Sequence, residues 1–262
     1  MSYYVVTHRP LEWPLPSFMQ PVSTVPAGEG VLDLSAEYPD IPGRSEYATL
    51  FALRRHLQRT WGRTDPPAGE EWIGVAHYRR FAVTRPTGTP DDIYGVVSPE
   101  EFGRLPEDTF LPPEGSLLLP SVAQVGTLLG QYGRVHVMRD LLHFMAIAID
   151  LGVIEERAAA SLLSQGLLVA APSIGVYPTA WYLDVLEKLE RVTEAFESTV
   201  AVPREGYQRR VVGFCCERLN SMLTTSLLPE WSGGVLANPA LIVSGEGVYA
   251  PNSDGVPAAT AA

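Results

Sequence analysis

The ten residues Trp72-Ile73-Gly74-Val75-Ala76-His77-Tyr78-Arg79-Arg80-Phe81 constrain the fold of this chain more than any other stretch. An apolar run of strand length ends abruptly in an imidazole, a phenol and two adjacent guanidinium groups. In open α/β sheets, ligands bind beyond the carboxyl ends of the strands. Two arginines placed there form a planar, permanently charged fork suited to phosphate or carboxylate. The chain carries a formal net charge of −11, so a tight cationic cluster stands out against its background. The plainer reading of the same residues is a strand end whose arginines pair with surface acids.

The flanking pattern supplies the rest of the sheet. Tyr3 to Thr7 is a β-branched and aromatic run, a first strand followed by Thr7-His8-Arg9-Pro10. Residues 10 to 44 are rich in Pro and Gly without a sustained period and read as one long irregular segment. Apolar residues recur at helical spacing over 45–61 and 180–197, and a further helix is predicted over 209–227. Ser98-Pro99-Glu100-Glu101 carries the signature of a capping box with proline in the first turn. Leu117 to Pro120, Leu167 to Ala171 and Gly175 to Pro178 are strand candidates, and residues 136 to 165 read as two helices broken near Gly152. Strands alternating with helices predict an α/β, three-layer fold around a mostly parallel sheet.

A length of 262 residues suits one domain, placed at 1–231, with a Gly/Ala/Pro-rich and partly disordered tail over 232–262. The acidic balance argues against nucleic acid as a partner. Cys215 and Cys216 are adjacent and cannot staple distant parts of a fold, which fits a reducing compartment. No signal peptide is read at the N-terminus. The most apolar helical candidate, Leu141 to Ile154, is interrupted by His143 and Asp150 and is too short to span a membrane. The expected location is cytoplasmic.

Several standard sites are missing: there is no GxxxxGK[ST] loop, no GxGxxG after the first strand, no HExxH and no GxSxG. His8, His56, His77, His136 and His143 show no metal-ligand spacing, and no metal site is assigned. Asp91-Asp92 falls in a turn-rich segment and reads as a solvated loop or helix start. No Asp-x-Asp closes a recognisable strand, so Mn2+ or Mg2+ is allowed but not indicated. A second cluster, Gln208-Arg209-Arg210 through Glu217-Arg218-Leu219, places an acid beside an arginine on a helix. Glu217 becomes a candidate general base only if it faces a pocket that raises its pKa.

Taken in order, Tyr4-Val5-Val6-Thr7-His8-Arg9, Glu46 with its helix, Gly74-x-x-His77-Tyr78-Arg79-Arg80-Phe81, Leu118-Leu119-Pro120, Gln131-Tyr132 with His136 and Asp140, and Arg210-x-x-Gly213-Phe214-x-x-Glu217-Arg218-Leu219 form a recognisable set. Over roughly residues 3 to 228 the chain resembles a bacterial glycosyltransferase family of capsular and exopolysaccharide gene clusters, formerly described as a domain of unknown function. It departs from the family pattern at Phe51-Ala52 and at Ser173-Ile174-Gly175, which bears on the acceptor side.

The resemblance implies a GT-A-like nucleotide-sugar-binding fold and a hexosyltransferase-like activity, with a place in the cytoplasm either free or peripheral to the inner face of the membrane. The implied donor is a nucleotide sugar, with a UDP-sugar foremost; the acceptor hydroxyl belongs to a glycan, a lipid-linked glycan or a small molecule such as a natural product. Thr7, His8, Arg9, Glu46, Tyr78, Arg79, Arg80, Arg210 and Arg218 are the expected donor-binding residues. Glu217 is the expected general base, with Asp140 second and His77 joining Arg79 and Arg80 at the diphosphate. In this reading His and Arg replace a metal ion in stabilising the leaving diphosphate. The alternative is a non-catalytic nucleotide-sugar-binding protein on the same fold.

Overall fold

The computed structural model describes residues 1–39, 41–164, 166–199 and 204–245. In chain order the elements are β1 (Ser2–Val6), β2 (Met19–Ser23), β3 (Leu32–Asp33), α1 (Glu46–Trp61), β4 (Trp72–His77), β5 (Arg80–Phe81), β6 (Thr89–Asp91), β7 (Tyr94–Val97) and α2 (Pro99–Phe102). There follow β8 (Leu117–Pro120), β9 (Val122–Val125), α3 (Leu128–Gly133), α4 (Met138–Asp150), α5 (Glu156–Ala159), β10 (Gly166–Val169) and β11 (Gly175–Pro178). The chain continues through α6 (Thr179–Thr199), α7 (Val211–Leu227), β12 (Val235–Asn238) and β13 (Ala240–Val243).

The α/β prediction holds: the central sheet is mostly parallel in its longer ladders. β3, β2, β1 and β4 run parallel side by side, and β11 closes antiparallel on β4, followed by β8 and β12. A branch leaves the carboxyl end of β4, where His77 pairs with Arg80 of β5, and continues through β13, β7 and β6.

Period-2 alternation divides the strands between two cores. Val6, Ile73 and Val75 point to the face covered by α1, α4, α6 and α7, while Tyr3, Val5 and Ala76 point to the other. That second face is covered by Trp13, by Phe102 of α2 and by Phe110 rather than by long helices. Tyr3 stands opposite Gly74 in the β1–β4 register. A Cβ on Gly74 would fall 2.1 Å from the Tyr3 ring, so the glycine is where a central strand admits an aromatic ring from its neighbour.

The predicted helices sit where expected, and the Ser98–Glu101 capping box is complete. The arginines off the apolar stripe of α1 are used: Arg54 and Arg55 converge on buried Glu190 of α6, and Arg59 pairs with Glu37. Three expectations change. Residues 10–44 are not one irregular segment, since β2 and β3 lie within them and extend the parallel sheet; Pro21 in a five-residue strand concealed the pattern. The strand near Leu167 joins a separate two-stranded sheet with β9. The domain does not end at residue 231 either, because β12 and β13 belong to the central sheet and Ala240–Val243 are fully buried. Only residues 246–262 of the expected tail lie outside the described residues.

Candidate active site

β1 and β4 are parallel neighbours with Val6 opposite His77, so both strands end at one edge of the sheet. Tyr78 donates its backbone N–H to Val6 O at 2.8 Å, locking the two exits together. After β1 the Thr7 hydroxyl donates to Arg9 O at 2.6 Å and accepts from Arg9 N at 3.3 Å. Buried Thr7 therefore shapes the turn that presents His8 and Arg9.

Tyr78 is the point on which these side chains meet. The His8 ring meets it edge-on at 5.1 Å, and the Arg9 and Arg79 guanidinium groups lie 4.6 and 5.6 Å from its ring centre. Beyond it the chain reverses tightly, so that Arg80 pairs back with His77. Val243 N donates to Arg79 O at 3.0 Å, which places the end of β13 directly behind the arginine pair.

A third contribution comes from the amino-terminal ends of α1 and α7. Gly213 lets them touch: a Cβ there would sit 2.5 Å from Ser45 Oγ. Ser45 is itself held at φ 53°, a region that disfavours residues with a Cβ. Arg210 Nε donates to Ser45 Oγ at 2.9 Å, and its guanidinium lies 4.0 Å from the Glu46 carboxylate. Two turns along α7 from Arg210, Glu217 accepts from Arg218 Nη1 at 2.8 Å.

Glu217 is half-buried, with 27% of its side chain exposed. Burial pushes its carboxyl pKa up; Arg218 opposes the shift, and the nearby Glu46 carboxylate adds to it. Arg80 and Arg210 also act on it, so this acid belongs to the same electrostatic cluster as the β4 exit. Arg218 is buried, and its other nitrogens donate to Gln131 Oε1 at 2.9 and 3.2 Å. It acts as a strut that orients Glu217.

His77, expected beside Arg79 and Arg80 at the diphosphate, contacts the Ser173 loop. It is buried, and burial together with Arg80 lowers its pKa to about 3, so the ring is neutral near pH 7. Its Nε2 lies 3.1 Å from Ser173 Oγ. The loop carrying Ser173 is anchored by tyrosine hydroxyls: Tyr182 donates to Ser173 O, and Tyr177 faces the carbonyls of Pro172 and Ile174. His8, although exposed, is also held below the usual range, first by local desolvation and then by Arg9 and Arg210.

Asp140 is not brought to this cluster as an available base. Both its oxygens accept from Arg204, at 2.5 and 3.0 Å, and the pair is largely buried. It borders a separate cavity of about 200 Å³ with Gly43, Glu197, Arg204 and Val212. His136 stacks on Phe214 at 4.0 Å, and His143 lies against Phe196. Among the described residues no three His, Cys, Asp or Glu side chains gather as a metal-ligating group.

The positive φ of Ser45 has no local sequence signature, and neither do the tyrosine struts Tyr177 and Tyr182. Ser173 departs from the family pattern, but its contact with His77 spans 96 residues of chain, beyond the reach of any local signal.

No family model matches the chain, and no curated protein matches it. Among solved structures, the fold is similar to that of the apo form of WbbM, a bifunctional glycosyltransferase, with a TM-score of 0.68 and 17% identical residues. The match covers 93% of this chain and 45% of that one, so the chain spans less than half the length of the structure it resembles. At this identity the likeness is one of fold.

Proposed function

We propose that the chain is a glycosyltransferase domain that moves a sugar from a nucleotide-diphosphate donor to an acceptor hydroxyl. The observation that carries this reading is the convergence of basic side chains from three segments, at the carboxyl ends of two parallel strands, around a half-buried carboxyl group with a raised pKa. The fold likeness to a glycosyltransferase supports it.

In this reading the donor diphosphate lies against His8, Arg9, Tyr78, Arg79 and Arg80. As the bond from the anomeric carbon to the diphosphate oxygen breaks, negative charge grows on the leaving group, and the fixed guanidinium groups stabilise it. Glu217 removes the proton of the acceptor hydroxyl whose oxygen attacks that carbon. Arg218 holds the carboxylate in place, while Glu46 keeps it basic and positions Arg210. His77 serves as a neutral strut between the β4 exit and the Ser173 loop. The nucleotide is taken as uridine, and the acceptor as a glycan, lipid-linked glycan or small molecule.

The test combines a thermal-shift series of nucleotide sugars with a measurement of nucleotide diphosphate release, with and without acceptor. A stabilising donor whose diphosphate is released in Glu217-dependent fashion supports the reading. Stabilisation with no release under any acceptor favours a non-catalytic nucleotide-sugar-binding protein. A chain stabilised by no nucleotide sugar sinks both.

A further inference from the structure

α3 is a six-residue helix whose start is capped by the Thr127 hydroxyl, which accepts from Gly130 N at 2.8 Å. Leu128 and Tyr132, four residues apart, are buried on its inner face. Gln131 is half-buried beside Tyr132, and its backbone N–H donates to Thr127 O at 2.9 Å. The helix thereby delivers one aromatic ring and one amide side chain to the flank of α7.

Both reach Arg218. Gln131 Oε1 accepts from Arg218 Nη2 at 2.9 Å and from Nε at 3.2 Å, and the Tyr132 ring centre lies 5.5 Å from the guanidinium carbon. A guanidinium is planar and rigid. With its Nε–Nη2 edge held on one oxygen and a ring beside it, the direction of Nη1 is fixed, and Nη1 is the donor to Glu217 Oε2. Glu217 Oε1 takes no hydrogen bond from a described residue, so one oxygen of the carboxylate is tied and the other is open. Adjacent residues on a helix do not face each other unaided. The contact with Gln131 is what turns Arg218 back onto Glu217. An amide does this without charge, whereas a carboxylate in its place would draw the arginine into an ion pair of its own.

We infer that Gln131 is the positioning residue of the proposed base: through Arg218 it sets where the Glu217 carboxylate points and how much of the arginine's charge reaches it. The inference rests on Glu217 acting as that base. Glu217 also faces Glu46 and Tyr47 from α1, His77 and Arg80 from the β4 exit, and Arg210 from the segment before α7. His136 faces Arg218. Burial holds His77 at about 3 and His136 at about 4, so both rings stay neutral where the raised Glu217 carboxyl titrates.

The test follows the Glu217 carboxyl by NMR in the full chain carrying carboxyl-labelled glutamate, with its resonance identified by its loss in Glu217→Gln. Gln131→Glu keeps the size of the side chain and an acceptor for Arg218 but competes for the charge. The Glu217 midpoint should therefore rise by about one pH unit or more. The acid limb of the pH–rate profile should move up with it. Gln131→Ala frees the Nε–Nη2 edge and should lower kcat roughly 10- to 100-fold with the donor KM unchanged. A Glu217 midpoint that stays at the wild-type value in Gln131→Glu overturns the inference, and so does a rate in Gln131→Ala that falls only as far as the folded fraction. The midpoint is read without donor or turnover. Transfer that survives Glu217→Gln would strike the base while leaving the coupling of Gln131 to Glu217 in place, and an unmoved midpoint would strike the coupling alone.

Discussion

Gly213 of α7 lies against Ser45 at the start of α1 so closely that a Cβ on the glycine would fall 2.5 Å from the serine oxygen. This contact sets the spacing between Arg210 and Glu46, and with it the distance from the α7 acid to the two strand exits. Replacing Gly213 with Ala should force these helix ends apart at a cost of about 1–3 kcal/mol. Calorimetry should register a lower melting temperature, and transfer should fall by more than the loss of folded protein explains. An unchanged melting temperature and rate would show that the contact does not set this spacing.

Glu217→Gln keeps the shape of the side chain and removes its basicity. Transfer should drop by roughly 100- to 10,000-fold, while donor-induced thermal stabilisation persists. Because burial raises the carboxyl pKa, the acid limb of the wild-type pH–rate profile should lie above the ordinary carboxylate range. The base works deprotonated, so activity falls as pH drops through that raised value. A limb at an ordinary glutamate pKa would argue against Glu217 as the titrating group.

Arg79→Ala and Arg80→Ala should each weaken donor binding by about 10- to 100-fold, the range expected on losing a charge-assisted hydrogen bond. Titration calorimetry with the nucleoside diphosphate reads this directly. Binding left intact in both variants would move the diphosphate away from the β4 exit.

His77 supplies a prediction about stability. Its pKa is about 3 in the folded chain, against 6.5 for an unperturbed histidine. Below pH 6.5 the unfolded state takes a proton that the folded state refuses, so stability is lost as pH falls towards 3. The slope from this group is about 1.4 kcal/mol per pH unit. Urea unfolding across this range should show the wild type losing stability faster than His77→Gln by about that amount; parallel curves would contradict the buried, neutral ring.

Asp140→Asn tests the division between the site and its surroundings. Breaking the buried Asp140–Arg204 pair should cost about 3–5 kcal/mol of stability. The rate per folded molecule should stay within a few-fold of wild type. A selective collapse of the rate at unchanged stability would restore Asp140 as a candidate base.

Much of the site was legible because its chemistry is concentrated in short segments. The abrupt end of an apolar run at His77 marks a strand exit without any tertiary knowledge, and Arg210-x-x-Gly213 with Glu217 is visible as one helical face. β2 and β3 were hidden because short strands interrupted by proline lack a clear period. β12 and β13 were hidden because a composition rich in Gly and Ala resembles a tail, although four of those residues, Ala240 to Val243, are fully buried beside β5 and β7.

The sequence alone determined the α/β alternation, the helix that carries Glu217 and the cluster of basic residues at a strand end, because each depends on local periodicity or on adjacent residues. Tertiary structure decided which of those residues meet and in what charge state. Ser45 and Gly213 bring Arg210 to Glu46 across 164 residues, burial makes His77 neutral, and Arg204 occupies both oxygens of Asp140. Protonation depends on desolvation and on neighbours far away in the chain, and so the apolar run ending in His77-Tyr78-Arg79-Arg80 announced a site but not the part each of its residues plays.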